Sequence, residues 1–252
     1  MVGNYVFSLL KNEPAHASQN RGQMAHSLEE IYSSYLRAYD TILPQTSCYQ
    51  ELVRETVSAL QGKKNILDAG IGTGLVSLAL DSAERQIYGV DITETMLNCS
   101  AEKIQEAKAE KRIFLSNQNI SSLHFPGQFF DGIACLNTLY HSYDYRTPLQ
   151  ELARVAQDDA VLVVSGPNTR FNTELFLEKI ISEFAEKENP QQYCPHLGIV
   201  IESTLHLARK KMQHFMDSWK MAEVLQEVGF REIEVAHDRA YYGHSYFVVA
   251  VK

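Results

Sequence analysis

The feature that most constrains this chain is an apolar run that ends in an acid and then breaks into glycines. It reads Asn65-Ile66-Leu67-Asp68-Ala69-Gly70-Ile71-Gly72-Thr73-Gly74 and continues into the apolar segment Leu75–Leu80. A strand, a glycine turn and a helix in that order form the repeating unit of doubly wound parallel sheets. Glycines at the carboxyl end of a strand let the backbone approach a ligand without a Cβ in the way. The spacing here is Gly-x-Gly-x-Gly. The dinucleotide spacing, Gly-x-Gly-x-x-Gly/Ala, fails because Leu75 holds the last position. Asp68, two residues before the first glycine, disfavours a pyrophosphate and favours a cationic group.

The alternation continues downstream. Strands are predicted at Gln86–Asp91, Arg112–Leu115, Phe129–Leu136 and Ala160–Ser165, with helices at Thr93–Glu110 and Tyr145–Ala156. The Val- and Leu-rich run near residue 162 suits a strand buried on both faces. The pattern then stops, and 168–215 holds two helical stretches, Thr173–Lys187 and about 199–215, around a proline-containing break at Asn189–His196. It resumes with a helix, Asp217–Val228, closed by Gly229. Two strands follow, Glu232–Ala236 and Tyr246–Val251, paired antiparallel across the tight Tyr242-Gly243-His244 segment.

Ahead of the core, a helix starts near Ser27, with Glu30 at capping-box spacing, and Pro44 ends it. A second helix covers Ser47–Leu60. The expected fold is α/β, a doubly wound, mostly parallel seven-stranded sheet with its last strand antiparallel. Its core spans 45–167 and 216–252, and helical lid elements lie in 1–44 and in the insertion 168–215.

Charge and cysteine content narrow the function classes. With 23 Lys and Arg against 31 Asp and Glu, the net charge is −8, which opposes binding to a phosphate backbone. No apolar run approaches the roughly 18 residues of a spanning helix. Met1–Pro14 lacks the basic and apolar regions of a signal peptide, so a cytoplasmic protein is expected, without membrane or nucleic-acid partners. Cys48, Cys99, Cys135 and Cys194 are widely spaced, which argues against a disulfide framework and against a metal site.

Asp91 lies at the end of the second strand, 17 residues past Gly74, where a carboxylate can accept from both hydroxyls of a ribose. Together Ile66–Gly74, Asp91 and Phe130-Asp131-Gly132-Ile133 resemble the class I S-adenosylmethionine-dependent methyltransferases. The likeness is close over about 45–165, looser over the last helix and two strands, and nearest the small-molecule enzymes with an N-terminal helical lid. It implies a Rossmann-like methyltransferase fold and S-adenosyl-L-methionine as cofactor, with S-adenosyl-L-homocysteine as product.

Carried over position by position, the resemblance implies that Asp68, Gly70, Gly72 and Gly74 hold the methionine portion, Asp91 the ribose and Ile92 the adenine. Asn119 and Ile120 follow the third strand, where the family places Asp-x-x-x-Leu-Pro-Phe. Here the string is Asn119-Ile120-Ser121-Ser122-Leu123-His124-Phe125, so a neutral oxygen replaces the usual acid for the adenine amino group. Asn137 approaches the sulfonium. The Asn-Pro-Pro-Tyr-like signature of enzymes acting on nucleobase amines or glutamine is absent; the fourth strand runs instead into Leu136-Asn137-Thr138-Leu139-Tyr140-His141.

The acceptor is expected to be a small molecule. His141, four residues past Asn137, is the candidate base or acceptor orienter, with Tyr140 beside it. Tyr143 belongs to the same pocket, and Tyr32, Tyr35 and Tyr39 share one helical face that packs on the core or forms an aromatic wall over a cation. His196 in the insertion is a further pocket candidate. Arg209-Lys210-Lys211 reads as a solvated helix face or an attractor for an acidic substrate. Alternative readings are a non-catalytic cofactor-binding module, a nicotinamide oxidoreductase (opposed by Leu75 and Asp68) and an aminopropyl transferase. The chain is expected to be a monomer or a homodimer.

Overall fold

In the computed structural model the described residues are 36–142, 144–209 and 215–252. Seven strands form one sheet: β1 (Asn65–Ala69), β2 (Gln86–Asp91), β3 (Ile113–Asn117), β4 (Phe130–Leu136), β5 (Ala156–Pro167), β6 (Glu232–Arg239) and β7 (Ser245–Val251). Their spatial order is β3-β2-β1-β4-β5-β7-β6. The pairs β1–β2, β2–β3, β1–β4 and β4–β5 are parallel, and β7 is antiparallel to both β5 and β6. This is the expected α/β architecture, with the chain order reversing beside β1. Ligands of open α/β sheets sit at that kind of switch point.

The helices are α1 (36–42), α2 (Ser47–Ala59), α3 (Leu75–Leu80), α4 (Glu94–Glu106), α5 (Arg146–Val155), α6 (Thr173–Ala185), α7 (Cys194–Arg209) and α8 (Ser218–Glu227). None of the described helices is long and apolar enough to cross a membrane. The central strands are buried on both faces: Ile66, Leu67, Ile133, Leu162, Val163 and Val248 are fully inaccessible. One core cluster joins Leu67, Ile133, Leu162 and Val248 to Leu149 and Leu152 of α5 and Val224 and Leu225 of α8. The carboxylate of Asp131 locks the start of β1 to β4 by accepting from the backbone N–H groups of Lys64 and Asn65 at 2.8–3.0 Å.

By its contacts the chain divides into two compact units. One takes Cys48–Phe171 and Met212–Lys252, and the other Met1–Ser47 and Asn172–Lys211. In the second, α6 buries Leu177, Ile180 and Phe184, the Phe184 and Tyr193 rings meet at 4.8 Å, and Glu183 accepts from the backbone N and hydroxyl of Ser47.

Several boundaries differ from expectation for local reasons. α4 stops at Glu106 rather than Glu110, because Lys108 turns left-handed (φ 55°). The N–H of Ala109 then bonds the carbonyl of Ile104 and that of Lys108 the carbonyl of Gln105, a Schellman closure with lysine where glycine is usual. It buries Ala109 and Ile104. α7 starts at Cys194, before the expected position, since Pro195 fits a first helical turn. β5 begins at Ala156 and carries a register shift, with Asp159 left-handed (φ 64°) and exposed. β6 runs on to Arg239, past the expected Ala236, because an edge strand tolerates the polar His237, which still pairs with Phe247 of β7.

Replacing Lys108 by Gly removes the Cβ penalty of the left-handed turn. We expect Lys108→Gly to raise the stability by about 0.5–1 kcal/mol in denaturant unfolding. A loss of stability would contradict this account of the α4 terminus.

Candidate functional site

The glycine turn between β1 and α3 is left-handed at Gly70 (φ 82°), Gly72 (φ 56°) and Gly74 (φ 84°), but the three glycines serve different ends. A Cβ on Gly70 would stand 2.3 Å from the Thr138 hydroxyl oxygen, so this glycine lets the ends of β1 and β4 close together. A Cβ on Gly74 would press on Ser100 of α4 at 3.2 Å. A Cβ on Gly72 would meet nothing within 4 Å, so this part of the backbone faces open space. The turn is held from outside. Gly70 and Ile71 donate N–H bonds to the carbonyl of Val90. The Ser100 hydroxyl donates to the Gly72 carbonyl at 2.7 Å, and the Lys103 ammonium to that of Thr73 at 2.9 Å.

Asp91, at the end of β2, accepts from the N–H of Gly72 (3.0 Å) and from that of Thr93 (2.8 Å). Each oxygen takes one backbone donor, and a carboxylate has about four lone-pair sites, so each can accept again. Ile92 beside it is 66% exposed, unusual for so large an apolar side chain. Asn119 is exposed, and its carboxamide oxygen already accepts from the N–H of Ser121 at 2.9 Å. Ile120 belongs to the buried core cluster.

Asp68 lies behind the turn, only 3% exposed, and accepts from the Ser77 hydroxyl at 2.6 Å. Burial pushes its carboxyl up to about 6, against the Ser77 bond that lowers it, and the charge of Asp91 adds to the rise. Burial likewise pushes the Cys135 thiol up to about 12, helped by the charge of Asp68, and raises the Tyr246 phenol. The turn is therefore backed by a desolvated carboxylate whose charged form would be favoured by a nearby cation.

On the other side of β1, β4 runs into Asn137, itself left-handed (φ 51°), whose amide donates to the Tyr241 hydroxyl at 3.2 Å. The chain then makes a 3-10 turn, Leu139–His141. The rings of Tyr140 and His141 lie 4.0 Å apart. His141 keeps an exposed edge, yet desolvation lowers its imidazole below the ordinary value, with Asp91 pulling the other way. It is therefore neutral at neutral pH, the form a general base requires.

The structure thus gathers Asp68, Gly70, Gly72, Gly74, Asp91, Ile92, Asn137, Tyr140 and His141 along the carboxyl edge of β1, β2 and β4. Tyr32, Tyr35 and Tyr143 lie outside the described residues, and Tyr39 and His196 belong to the helical unit. Sequence reasoning missed Ser77, Ser100, Thr138 and Tyr241, which brace the site. A serine one helical turn into α3 was the available signal for Ser77, since a buried carboxylate needs a donor.

Asp68 has a folded-state value above the unfolded one, so its ionisation weakens the fold as pH rises from about 4 to about 6. Asp68→Asn keeps an acceptor for Ser77 and removes that cost. Between pH 4 and pH 7, the variant should gain about 3 kcal/mol relative to the parent protein in denaturant unfolding. An equal difference at both pH values would contradict the assignment.

Residues 67–164 match the family described as "Methyltransferase domain". The uncharacterized methyltransferase YcgJ of Bacillus subtilis is 31% identical over 99 residues, 39% of each chain. The demethylmenaquinone methyltransferase of Geobacillus kaustophilus is 24% identical over 227 residues, 86% of this chain and 92% of that one. The chain spans 65%, 39% and 32% of the lengths of three curated relatives, YqeM and YcgJ of Bacillus subtilis and BioHC of Saccharophagus degradans. Among solved structures, magnesium protoporphyrin IX methyltransferase (ChlM) from Synechocystis with bound SAH superposes with a TM-score of 0.62 at 20% identity, covering 88% of this chain and 94% of that one. At such identity the superposition speaks for the fold. The domain match covers the stretch that holds the glycine turn between β1 and α3, so residues 67–164 are similar to a methyltransferase domain.

Proposed function

We propose that this protein transfers a methyl group from S-adenosyl-L-methionine to a small-molecule acceptor. The observation that carries the reading is the pairing of a buried carboxylate, Asp68, with an open glycine turn one strand away from a neutral His141. The turn at Gly72 leaves room for a ligand main chain, and the carboxylate behind it suits a cationic group. Asp91 has lone pairs left for ribose hydroxyls, and the exposed Ile92 offers an apolar face to a base. The residues present therefore fit the cofactor. Asn119 departs from the family pattern: with its oxygen turned to Ser121, it presents the adenine with a neutral amide instead of a carboxylate.

When bound, the cofactor supplies an activated methyl on a sulfonium, which leaves by in-line displacement. The protein's task is then mainly alignment, which can contribute on the order of 7–11 kcal/mol. Asn137, fixed by Tyr241, bounds the methionine side of the site. His141 orients the acceptor and, for a hydroxyl or carbon acid, takes its proton. Desolvation keeps that imidazole neutral and ready.

Incubation with labelled cofactor and a cell metabolite extract, followed by mass identification of the product, tests the substrate class. A labelled small molecule is expected. A labelled macromolecule would overturn the class, and cofactor binding without any labelled product would favour a non-catalytic binding module. With the acceptor in hand, His141→Ala should lower kcat about 100-fold or more while cofactor affinity is retained. An unchanged kcat would remove His141 from the mechanism. Because a bound cation favours ionised Asp68, affinity for S-adenosylhomocysteine should weaken as pH falls from 7 to 5, and Asp68→Asn should flatten that profile.

A further inference from the structure

The carboxyl edge of the sheet carries a second cluster, two strands beyond β4, that methyl transfer itself does not use. An open, shallow cavity of about 600 Å³ is lined by Arg170, Asp238, Arg239, Gly243 and His244. It forms where β5 and β6 end and β7 begins, since Pro167 pairs with Ser245. The hub is Asn168, fully buried. Its backbone N–H donates to the His244 carbonyl (3.0 Å), its amide donates to that of Gly243 (2.9 Å), and its side-chain oxygen accepts from the N–H of Arg170 (3.0 Å). The facing turn is left-handed at three successive residues, Tyr241, Tyr242 and Gly243 (φ 48°, 57° and 87°). The cavity wall is thus a built feature.

The charges around it are unequally engaged. Asp238 accepts from the N–H and hydroxyl of Ser218 at 2.8 and 3.0 Å, and stands 3.7 Å from the Arg170 guanidinium. Asp217, the other acid near Arg170, accepts from the N–H and hydroxyl of Thr169. Both carboxylates take neutral donors, and Arg170 adds a longer ion pair to Asp238 and a charge interaction with Asp217. The Arg170 side chain remains 66% exposed, and the guanidinium of Arg239 makes no ion pair or hydrogen bond among the described residues.

A row of rings leads from the exposed His141, through half-buried Tyr140, Phe215 and Phe171, to the buried His244 at this cavity. Tyr140 lies against His141, and the ring of Phe215 is 6.4 Å from that of Tyr140. Phe171 follows at 5.7 Å, and His244 at a further 5.7 Å. In the sheet β5, β7 and β6 lie one, two and three interstrand spacings from β4, so the cluster spans about 5–15 Å from it.

We propose that the acceptor is a planar, ring-bearing molecule with an oxyanion, carboxylate or phosphate, within about 15 Å of the atom that receives the methyl. Arg170 and Arg239 hold the oxyanion, and the row of rings holds the body. The guanidinium fork matches both anions, and an aromatic body can stack on the rings. This inference rests on the methyl-transfer reading and adds the acceptor's charge and length to it.

The test titrates the protein, saturated with S-adenosylhomocysteine, with 4-hydroxycinnamate, its neutral amide and 2-naphthyl phosphate. At least one anion should bind about tenfold more tightly than the amide, and Arg170→Gln and Arg239→Gln should each lower its affinity about tenfold. The variants should bind the amide and S-adenosylhomocysteine as the parent does, which shows that they are folded. The better of the two anions tells a carboxylate acceptor from a phosphate ester. Equal binding of anion and amide, unchanged anion affinity in both variants, or no binding of any probe would overturn the proposal while leaving methyl transfer standing. Failure of S-adenosylhomocysteine itself to bind would overturn both.

Discussion

Gly70 lacks a side chain, and that absence lets the carboxyl ends of β1 and β4 meet. Thr138 fills the space a Cβ would need, and the N–H groups of Gly70 and Ile71 reach the carbonyl of Val90 at the end of β2. Three strand ends are drawn to one point. Asp91 then ties the turn to β2 through Gly72, while Ser100 and Lys103 tie it to α4. The polar groups of the glycine turn and of the β2 and β4 ends depend on that closure. A rigid scaffold with ligand groups on its loops is the general solution in open α/β sheets.

The electrostatics of the edge divide along the sheet. Near β1 and β2 lie Asp68 and Asp91, the first desolvated enough to resist ionisation. Near β5, β6 and β7 lie Arg170 and Arg239, with a ring row between the two halves. A cationic cofactor and an anionic acceptor would each meet complementary charge. The net charge of −8 averages over this arrangement and hides it. A summed charge bears on long-range steering, whereas a site is decided by the few groups facing it.

Most of the fold was legible. The glycine turn, the Val- and Leu-rich buried strands and the strand–helix alternation are local patterns, and each appeared where the periodicity placed it. Misreadings came where a local rule yielded. Lys108 takes a glycine's conformation to bury Ala109, and Pro195 opens a helix where a break was expected. β6 continues through polar residues because β7 supplies its ladder. At the candidate site, Asp68 and Asp91 could be named from their spacing to the glycines, and His141 from the family resemblance of the fourth strand's end. Whether Asp68 faces a ligand directly or backs the turn could not, since its burial is set by Ser77 and by neighbouring strands.

By itself the sequence determined the order of strands and helices, the glycine turn and the residues that end the strands, because these follow from neighbours a few positions apart. Only the tertiary structure decided what those residues meet. Asn137 and Tyr241 are 104 positions apart and share a hydrogen bond. Tyr140, Phe171, Phe215 and His244 form one row of rings although no periodicity links them. Long-range contacts of this kind depend on how the strands are ordered and paired, and an open sheet brings distant segments to a common edge.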